Sequence, residues 1–255
     1  MKEFKSGFTL AEVLITLGII GVVASITMPA LIANYEKKAT LTQLKKTYSM
    51  LSQIAKLAEV DYGSMDEWDT SLSAKNFAET YFVPYLRTVK TCTAITDGCW
   101  RDNGYYDLKN SKITVTPFSV VLTDGTVVGF AKPITNTPVI VVDVNGAKGR
   151  NRLGRDVFAF LVLSRKNGYL EWDSPTWAWM TLPTGIYPGS YANGGVPHAI
   201  FDAATVLKTT YDTEGRGAGL CNKAAAGNGE VGVGGACTVA IVNNNWEIPD
   251  GYPWN

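Results

Sequence analysis

The sequence predicts an α+β fold, a long kinked N-terminal helix laid on an antiparallel sheet. Two observations carry this. Residues Val13 to Ala33 form a run of 21 residues without Asp, Glu, Lys or Arg, and a narrower apolar pattern at helical spacing continues to Ala58. From Ile113 to Trp172, short apolar runs rich in Val, Ile and Phe are separated by turn residues. One helix followed by hairpin-linked strands is the order of an α+β domain.

The helix is expected from about Thr9 to Val60, on the order of 75–80 Å at the standard rise. Its apolar run is long enough to span a bilayer, which takes about 20 residues. Lys2 and Lys5 precede the run, and Glu36, Lys37, Lys38, Lys45 and Lys46 follow it, so flanking charge does not orient it. A secretory signal peptide fits poorly. The run exceeds the usual core of roughly 7–15 residues, Glu12 interrupts its entry, and Val22-Val23-Ala24 is a weak peptidase site. Glu12 is the unusual residue, because a charge well inside hydrocarbon costs roughly 2.5–3.5 kcal/mol. An ionisable group there marks function and calls for a named counter-charge. Pro29 lacks an amide proton and, with Gly18 and Gly21, is expected to bend the helix. Beyond it, Leu41, Leu44, Tyr48, Leu51, Ala55 and Ala58 make an apolar stripe, with Lys37, Lys38, Lys45, Lys46, Gln53 and Lys56 off it. The helical signal stops at Asp61-Tyr62-Gly63-Ser64.

The strands follow in order. Ile113–Thr116 and Phe118–Leu122 lead through the turn Thr123-Asp124-Gly125 into Thr126–Phe130. Pro138–Val142 is a further apolar run. Val157–Leu163 and Tyr169–Trp172 flank an Asn167-Gly168 hairpin turn. From Pro175 to Asn255 the chain is rich in Gly, Pro, Trp and Tyr and reads as irregular, with one short helix over Ala199–Thr209. Trp177, Trp179, Trp246 and Trp254 argue for packing within it.

Basic and acidic residues number 23 each, so no strong field draws the chain to nucleic acid. Cys92, Cys99, Cys221 and Cys237 allow three pairings. Short loops favour Cys92–Cys99 and Cys221–Cys237, whereas a four-thiolate zinc site is opposed by spacing. The connection from Asp143 to Asp156 supplies oxygens through Asp143, Asn145, Asn151 and Asp156. These suit either Asx turns in a β–β connection or a hard cation such as calcium. Lys148, Arg150, Arg152 and Arg155 oppose the cation, and the spacing departs from that of an EF-hand. His198, the single histidine, has no nucleophile elbow to serve. P-loop, dinucleotide and H-E-x-x-H motifs are absent, so no catalytic residue is assigned.

Gly7-Phe8-Thr9-Leu10-Ala11-Glu12, followed by Val13-Leu14-Ile15 and later Pro29, resembles the N-terminus of type IV pilins and type II secretion pseudopilins. The resemblance implies cleavage after Gly7 by a prepilin peptidase and N-methylation of Phe8. It places the family's characteristic glutamate at Glu12 and its helix-kinking proline at Pro29. Residues 1–7 then form a leader, 8–33 a transmembrane and filament-core helix, 34–62 an amphipathic half, and 63–255 an extracytoplasmic globular domain. Removing the leader deletes Lys2, Lys5 and Glu3, leaving 21 basic and 22 acidic residues. Implied partners are the prepilin peptidase, an assembly platform protein, membrane lipid, and other pilins, copies of this chain included. The implied work is structural, in a secretion pseudopilus or a pilus, beginning at the cytoplasmic membrane. A disulfide beneath the Gly-rich stretch is similar to the stapled C-terminal region of pilins, and several pseudopilins hold calcium in a loop. A single-pass anchored binding or enzymatic domain, without assembly, is the alternative reading.

Overall fold

The computed structural model describes residues 9–114, 118–131, 138–146, 148–149, 151–164, 184–189, 203–207, 220–224 and 234–254. The chain divides into two compact units, Met1–Thr42 and Gln43–Asn255.

Helix α1 (Leu10–Tyr62) begins in the first unit and ends in the second. It is long and apolar enough to cross a membrane. In the first unit its large apolar side chains, among them Leu14, Ile20, Ile26 and Leu31, are exposed. The few hydroxyls satisfy themselves on the helix backbone: Thr16 donates to the Val13 carbonyl at 2.9 Å, Ser25 to Val22 at 2.8 Å and Thr27 to Val23 at 2.9 Å. Such back-bonding lets polar residues sit in a helix facing apolar surroundings. Pro29 lies inside α1 and withholds one bond from the Ser25 carbonyl.

In the second unit α1 buries Leu44, Thr47, Leu51, Ile54, Ala55 and Ala58. Leu44, Leu51, Ala55 and Ala58 belong to the stripe read from the sequence. Thr47 joins it because its hydroxyl is spent on the Gln43 carbonyl at 2.9 Å, which frees its methyl to pack. The helix stops at Tyr62, followed by Gly63 at φ +79°, a conformation that favours glycine. The chain then turns into helix α2 (Ala74–Tyr81), capped by Ser73 on the Asn76 amide at 3.2 Å. Trp68 anchors this corner. Its ring stacks on Tyr81 at 4.3 Å and meets Phe77 and Phe82 edge-on, while its indole N–H donates to the Gly63 carbonyl at 3.1 Å.

Among the described residues the main sheet holds β1 (Thr88–Cys92), β4 (Phe118–Leu122), β5 (Val127–Ala131), β6 (Val139–Asp143), β7 (Val157–Leu163) and β8 (Gly185–Pro188), side by side and antiparallel throughout. A small second sheet pairs β2 (Gly104–Tyr106) with β3 (Lys112–Thr114). One face of the main sheet carries Val127, Val139, Val141, Val157, Ala159 and Leu161, packed with Trp100, Tyr105 and Leu153. Alternation turns Phe160 to the opposite face, where Tyr48 of α1 stacks on it at 5.6 Å. Helices α3 (Ala203–Leu207) and α4 (Cys237–Val242) lie in the C-terminal region. Disulfides join Cys92 to Cys99 and Cys221 to Cys237.

Two expectations need correction. Ile113 and Thr114 do not open the meander; they pair with β2 in the small sheet, because Phe118 to Leu122 takes Thr88 to Cys92 as its outer neighbour instead. The other concerns the described residues after Pro175, where β8 adds a strand to the sheet that the sequence did not signal; α3 falls within the helix expected over Ala199–Thr209. The strand expected at Tyr169–Trp172, with Trp177, Trp179 and His198, lies outside the described residues.

Trp68→Ala should lower unfolding free energy by about 3–5 kcal/mol, since it empties a fully buried aromatic site. Urea denaturation of the purified chain reads this; a loss below about 1 kcal/mol would show that the corner does not depend on the indole.

Candidate functional site

Two places combine charged groups with unusual surroundings. The first is the start of α1. Thr9 caps the helix: its hydroxyl oxygen accepts from the Glu12 amide at 3.3 Å, and its carbonyl accepts from the Val13 amide at 3.2 Å. Glu12 reaches back, its Oε2 accepting from both the Thr9 amide and the Thr9 hydroxyl at 2.8 Å. This is a reciprocal capping box, which satisfies donors that a helix start otherwise leaves open. The pattern Thr9-x-x-Glu12 carries this signal in the sequence itself. Both partners lie downstream of the Gly7–Phe8 bond, so cleavage there leaves the box intact. Only Oε2 is used in these bonds, which leaves Oε1 for a second donor. Gly7 and Phe8 lie outside the described residues.

The second place is the β6–β7 connection. It is held at its base by the Val144 amide, which donates to the Asp156 carbonyl at 2.9 Å. Asp143 Oδ1 accepts from the Asn145 amide at 3.1 Å and the Gly146 amide at 2.9 Å, forming the expected Asx turn. Gly146 has φ +63°, and a Cβ there would fall 2.2 Å from the Gly125 carbonyl oxygen, so only glycine lets this turn seat on the β4–β5 hairpin. Asp156 Oδ1 accepts from the Arg152 amide at 2.5 Å, and its Oδ2 from the Asn145 side-chain amide at 3.3 Å. Asp143, Asn151 and Asp156 are all buried. Asn151 lies close enough to Asp143 to favour its charged form, although neither polar atom of its side chain makes a full hydrogen bond. Thus Asp143, Asn145, Asn151 and Asp156 converge on one small volume. The basic residues of the loop do not enter it as a group. Arg152 Nη2 lies 3.5 Å from the Leu108 carbonyl and from Asn110 Oδ1, and Lys148 and Arg155 are exposed. Arg150 lies outside the described residues.

Burial holds both carboxyls above their ordinary range. Asp143 is pushed well up by desolvation and then by the charge of Asp156, against the amides of Asn145 and Gly146. Asp156 is pushed up to about 6 by desolvation, against the Arg152 amide, Asn145 and Arg155. No group of three or more His, Cys, Asp or Glu that could hold a metal occurs among the described residues; the convergence found here rests on two Asp and two Asn.

Residues 30–170 match a family described as a family of unknown function, DUF6613, over more than half of the chain. The protein is a member of the DUF6613 family. Its residues 4–28 match the prokaryotic N-terminal methylation motif, and the capping box lies inside that match. Among curated proteins, this DUF6613 member is similar to prepilin peptidase-dependent protein D of Escherichia coli (strain K12), 28% identical over 44% of this chain and 71% of that protein. It is also similar to fimbrial protein EcpC of Eikenella corrodens, 26% identical over 38% of this chain and 61% of that protein. No solved structure matches it. The Asp143–Asp156 connection falls within the DUF6613 match.

A carboxyl with a raised folded pKa binds protons more tightly folded than unfolded, so its charged form weakens the fold. For Asp156 the effect is nil below the ordinary value of 3.8 and grows as pH rises to about 6. In chelator-treated buffer, stability should therefore fall by roughly 2–3 kcal/mol from this group across that window. Asp124 does not confuse the reading. Despite burial, hydrogen bonds from Lys46, the Thr126 amide and Gln43 hold it well below its ordinary value, so it titrates under the window. Asp156→Asn should make the decline shallower in melting curves taken between pH 4 and 7, what remains coming from Asp143, whose carboxyl is also held above its ordinary range; an unchanged slope would contradict the assignment.

Proposed function

We propose that this DUF6613 member is a pilin-type subunit, cut after Gly7, methylated on Phe8 and assembled through α1 into an extracytoplasmic filament. The observation that carries the proposal is the methylation motif at residues 4–28, on a helix long and apolar enough to cross a membrane. The printed names of the two relatives, one prepilin peptidase-dependent and one fimbrial, support the same reading. The subunit waits in the cytoplasmic membrane with its second unit outside. Assembly then exchanges lipid for neighbouring helices, since a helix apolar all round needs cover of one kind or the other. Prepilin peptidase and a platform protein are its processing and assembly partners. The filament is a secretion pseudopilus or a pilus, and the role is structural rather than catalytic.

Glu12 holds two roles in this reading. Its Oε2 closes the capping box, and its charge meets the α-amine that cleavage creates on Phe8 of an adjacent subunit. Pairing across subunits rewards docking at one axial offset, because a charge left unpaired in apolar surroundings is costly.

Glutamine keeps the capping box and loses the charge, so it separates the two roles. Glu12→Gln should abolish filaments as completely as Glu12→Ala, by roughly tenfold or more on quantitative immunoblots of sheared filaments, for a pair worth at least about 1.4 kcal/mol. Wild-type yield from Glu12→Gln would leave the carboxylate as a helix cap alone. Mass spectrometry of the membrane-extracted chain should find an N-terminal methyl-phenylalanine at Phe8; an intact N-terminus in a strain that assembles filaments would remove the processing step.

A further inference from the structure

We propose that the second unit docks head-to-tail on a second copy of this chain, the acidic end of its sheet against the basic end of its neighbour's. This rests on the filament reading above and names the surfaces by which adjacent subunits meet. Total charge is balanced at 23 against 23, but its placement is not. Residues 59–79 hold six acidic residues and one basic, whereas residues 148–155 hold four basic and no acidic.

The fold sends these two segments to opposite ends of the main sheet. Strand β7 begins at Val157, paired with Asp143, and ends at Leu163, paired with Gly185. At the Leu163 end the Thr184 hydroxyl donates to Asp66, which brings there the corner that carries exposed Asp61, Glu67 and Asp69. The Met65 amide, donating to Glu59 at 3.2 Å, folds this corner back on the last turn of α1. Its lysines are already taken, Lys56 by Glu59 at 2.6 Å and Lys75 by Glu79 at 3.8 Å. At the Val157 end the β6–β7 connection carries exposed Lys148 and Arg155. The β2–β3 connection lies close to it. The Tyr106 amide donates to the Asn151 carbonyl at 2.8 Å, and Arg101 Nη1 donates to the Gly149 carbonyl at 2.7 Å. Lys109 and Lys112 extend the basic surface, both exposed. The acids of this end do not offset it. Asp107, Asp143 and Asp156 are buried, Asp124 is taken by Lys46 at 2.7 Å, and Asp102 lies 4.0 Å from Arg101. Six residue steps of β7 separate the two ends, about 20 Å.

A second copy is the partner this arrangement fits. A small ion satisfies one end only. A polyanion does the same and is repelled by the other end. A second copy answers an acidic end with a basic one and leaves one of each open for further copies. A contact of this heterologous kind generates an open helical array when its rotation does not close a ring. Beside Asp61 the acidic end also exposes apolar area, with Val60 at 81% and Leu57 at 53%, which a protein surface covers and an ion does not. Complementary charge of this kind fixes register and excludes wrong partners more than it adds affinity.

The test uses the full chain in detergent micelles, half of it labelled with heavy nitrogen, treated with a carbodiimide. The reagent joins a carboxylate and an amine in contact as an amide and leaves as its urea. Mass spectrometry should find amides from labelled to unlabelled chain, between Asp61, Glu67 or Asp69 and Lys109, Lys112 or Lys148. They should fall roughly fivefold or more in about 1 M salt, where charges are screened beyond about 3 Å. In cells, Lys109→Glu with Lys148→Glu should lower filament yield roughly fivefold or more, as should Asp61→Lys with Glu67→Lys. All four together should return it to within about twofold of wild type. Amides confined to single chains, or reversed variants that assemble at wild-type yield, overturn the proposal. Loss from the basic-end reversal alone also overturns it and points to an anionic partner other than this chain. A chain never cut at Gly7 removes the filament reading instead, and the cross-links in micelles still decide this contact.

Discussion

Helix α1 must be buried twice, by different partners, and the rest of the structure follows from that constraint. In the second unit the partner is within the chain. Leu44, Leu51, Ile54 and Ala58 turn inward, and Tyr48 stacks on Phe160 of the sheet. In the first unit the apolar side chains run all round the helix and are exposed, so their cover has to come from lipid or other helices. A helix of this kind keeps open hydrogen-bonding groups to a minimum along its length, the Ser25 carbonyl opposite Pro29 being one, because apolar surroundings offer no replacement. Thr16, Ser25 and Thr27 meet that demand by bonding to their own backbone.

The same demand reinterprets Glu12. As a bare charge it is costly in apolar surroundings. As the third residue of a capping box it closes donors that would otherwise be open at the helix start. These accounts do not compete, because the box uses one carboxylate oxygen and leaves the other. Capping fixes where the carboxylate points, as the proposed contact between subunits would require. A freely rotating glutamate would lose more side-chain entropy on pairing than one already held.

The two carboxylates of the β6–β7 connection pose the opposite problem. Asp124, exposed in part, meets Lys46 and titrates low. Asp143 and Asp156, deeper in the fold, meet each other and titrate high. Depth and partner, not residue type, separate them, as desolvation grows with burial while a nearby ammonium offsets it.

By itself the sequence determined α1, four of the six residues it buries (Leu44, Leu51, Ala55 and Ala58), and strands β4 to β7. These are local signals: a helical or two-residue period sustained over enough residues, and turn residues between them. The oxygen-bearing residues of the β6–β7 connection are legible as types, and the capping box is legible in Thr9-x-x-Glu12. Only the tertiary structure decided the rest. Strands β1 and β8 and helices α2 and α4 are short, and three-residue strands such as β2 and β3 carry too little pattern to register. They exist because distant partners complete them, as Leu122 does for Thr88 and Leu163 for Gly185. Burial of Asp143, Asn151 and Asp156 is likewise a property of what packs over them, and no spacing along the chain encodes the loss of water that gives those groups their character.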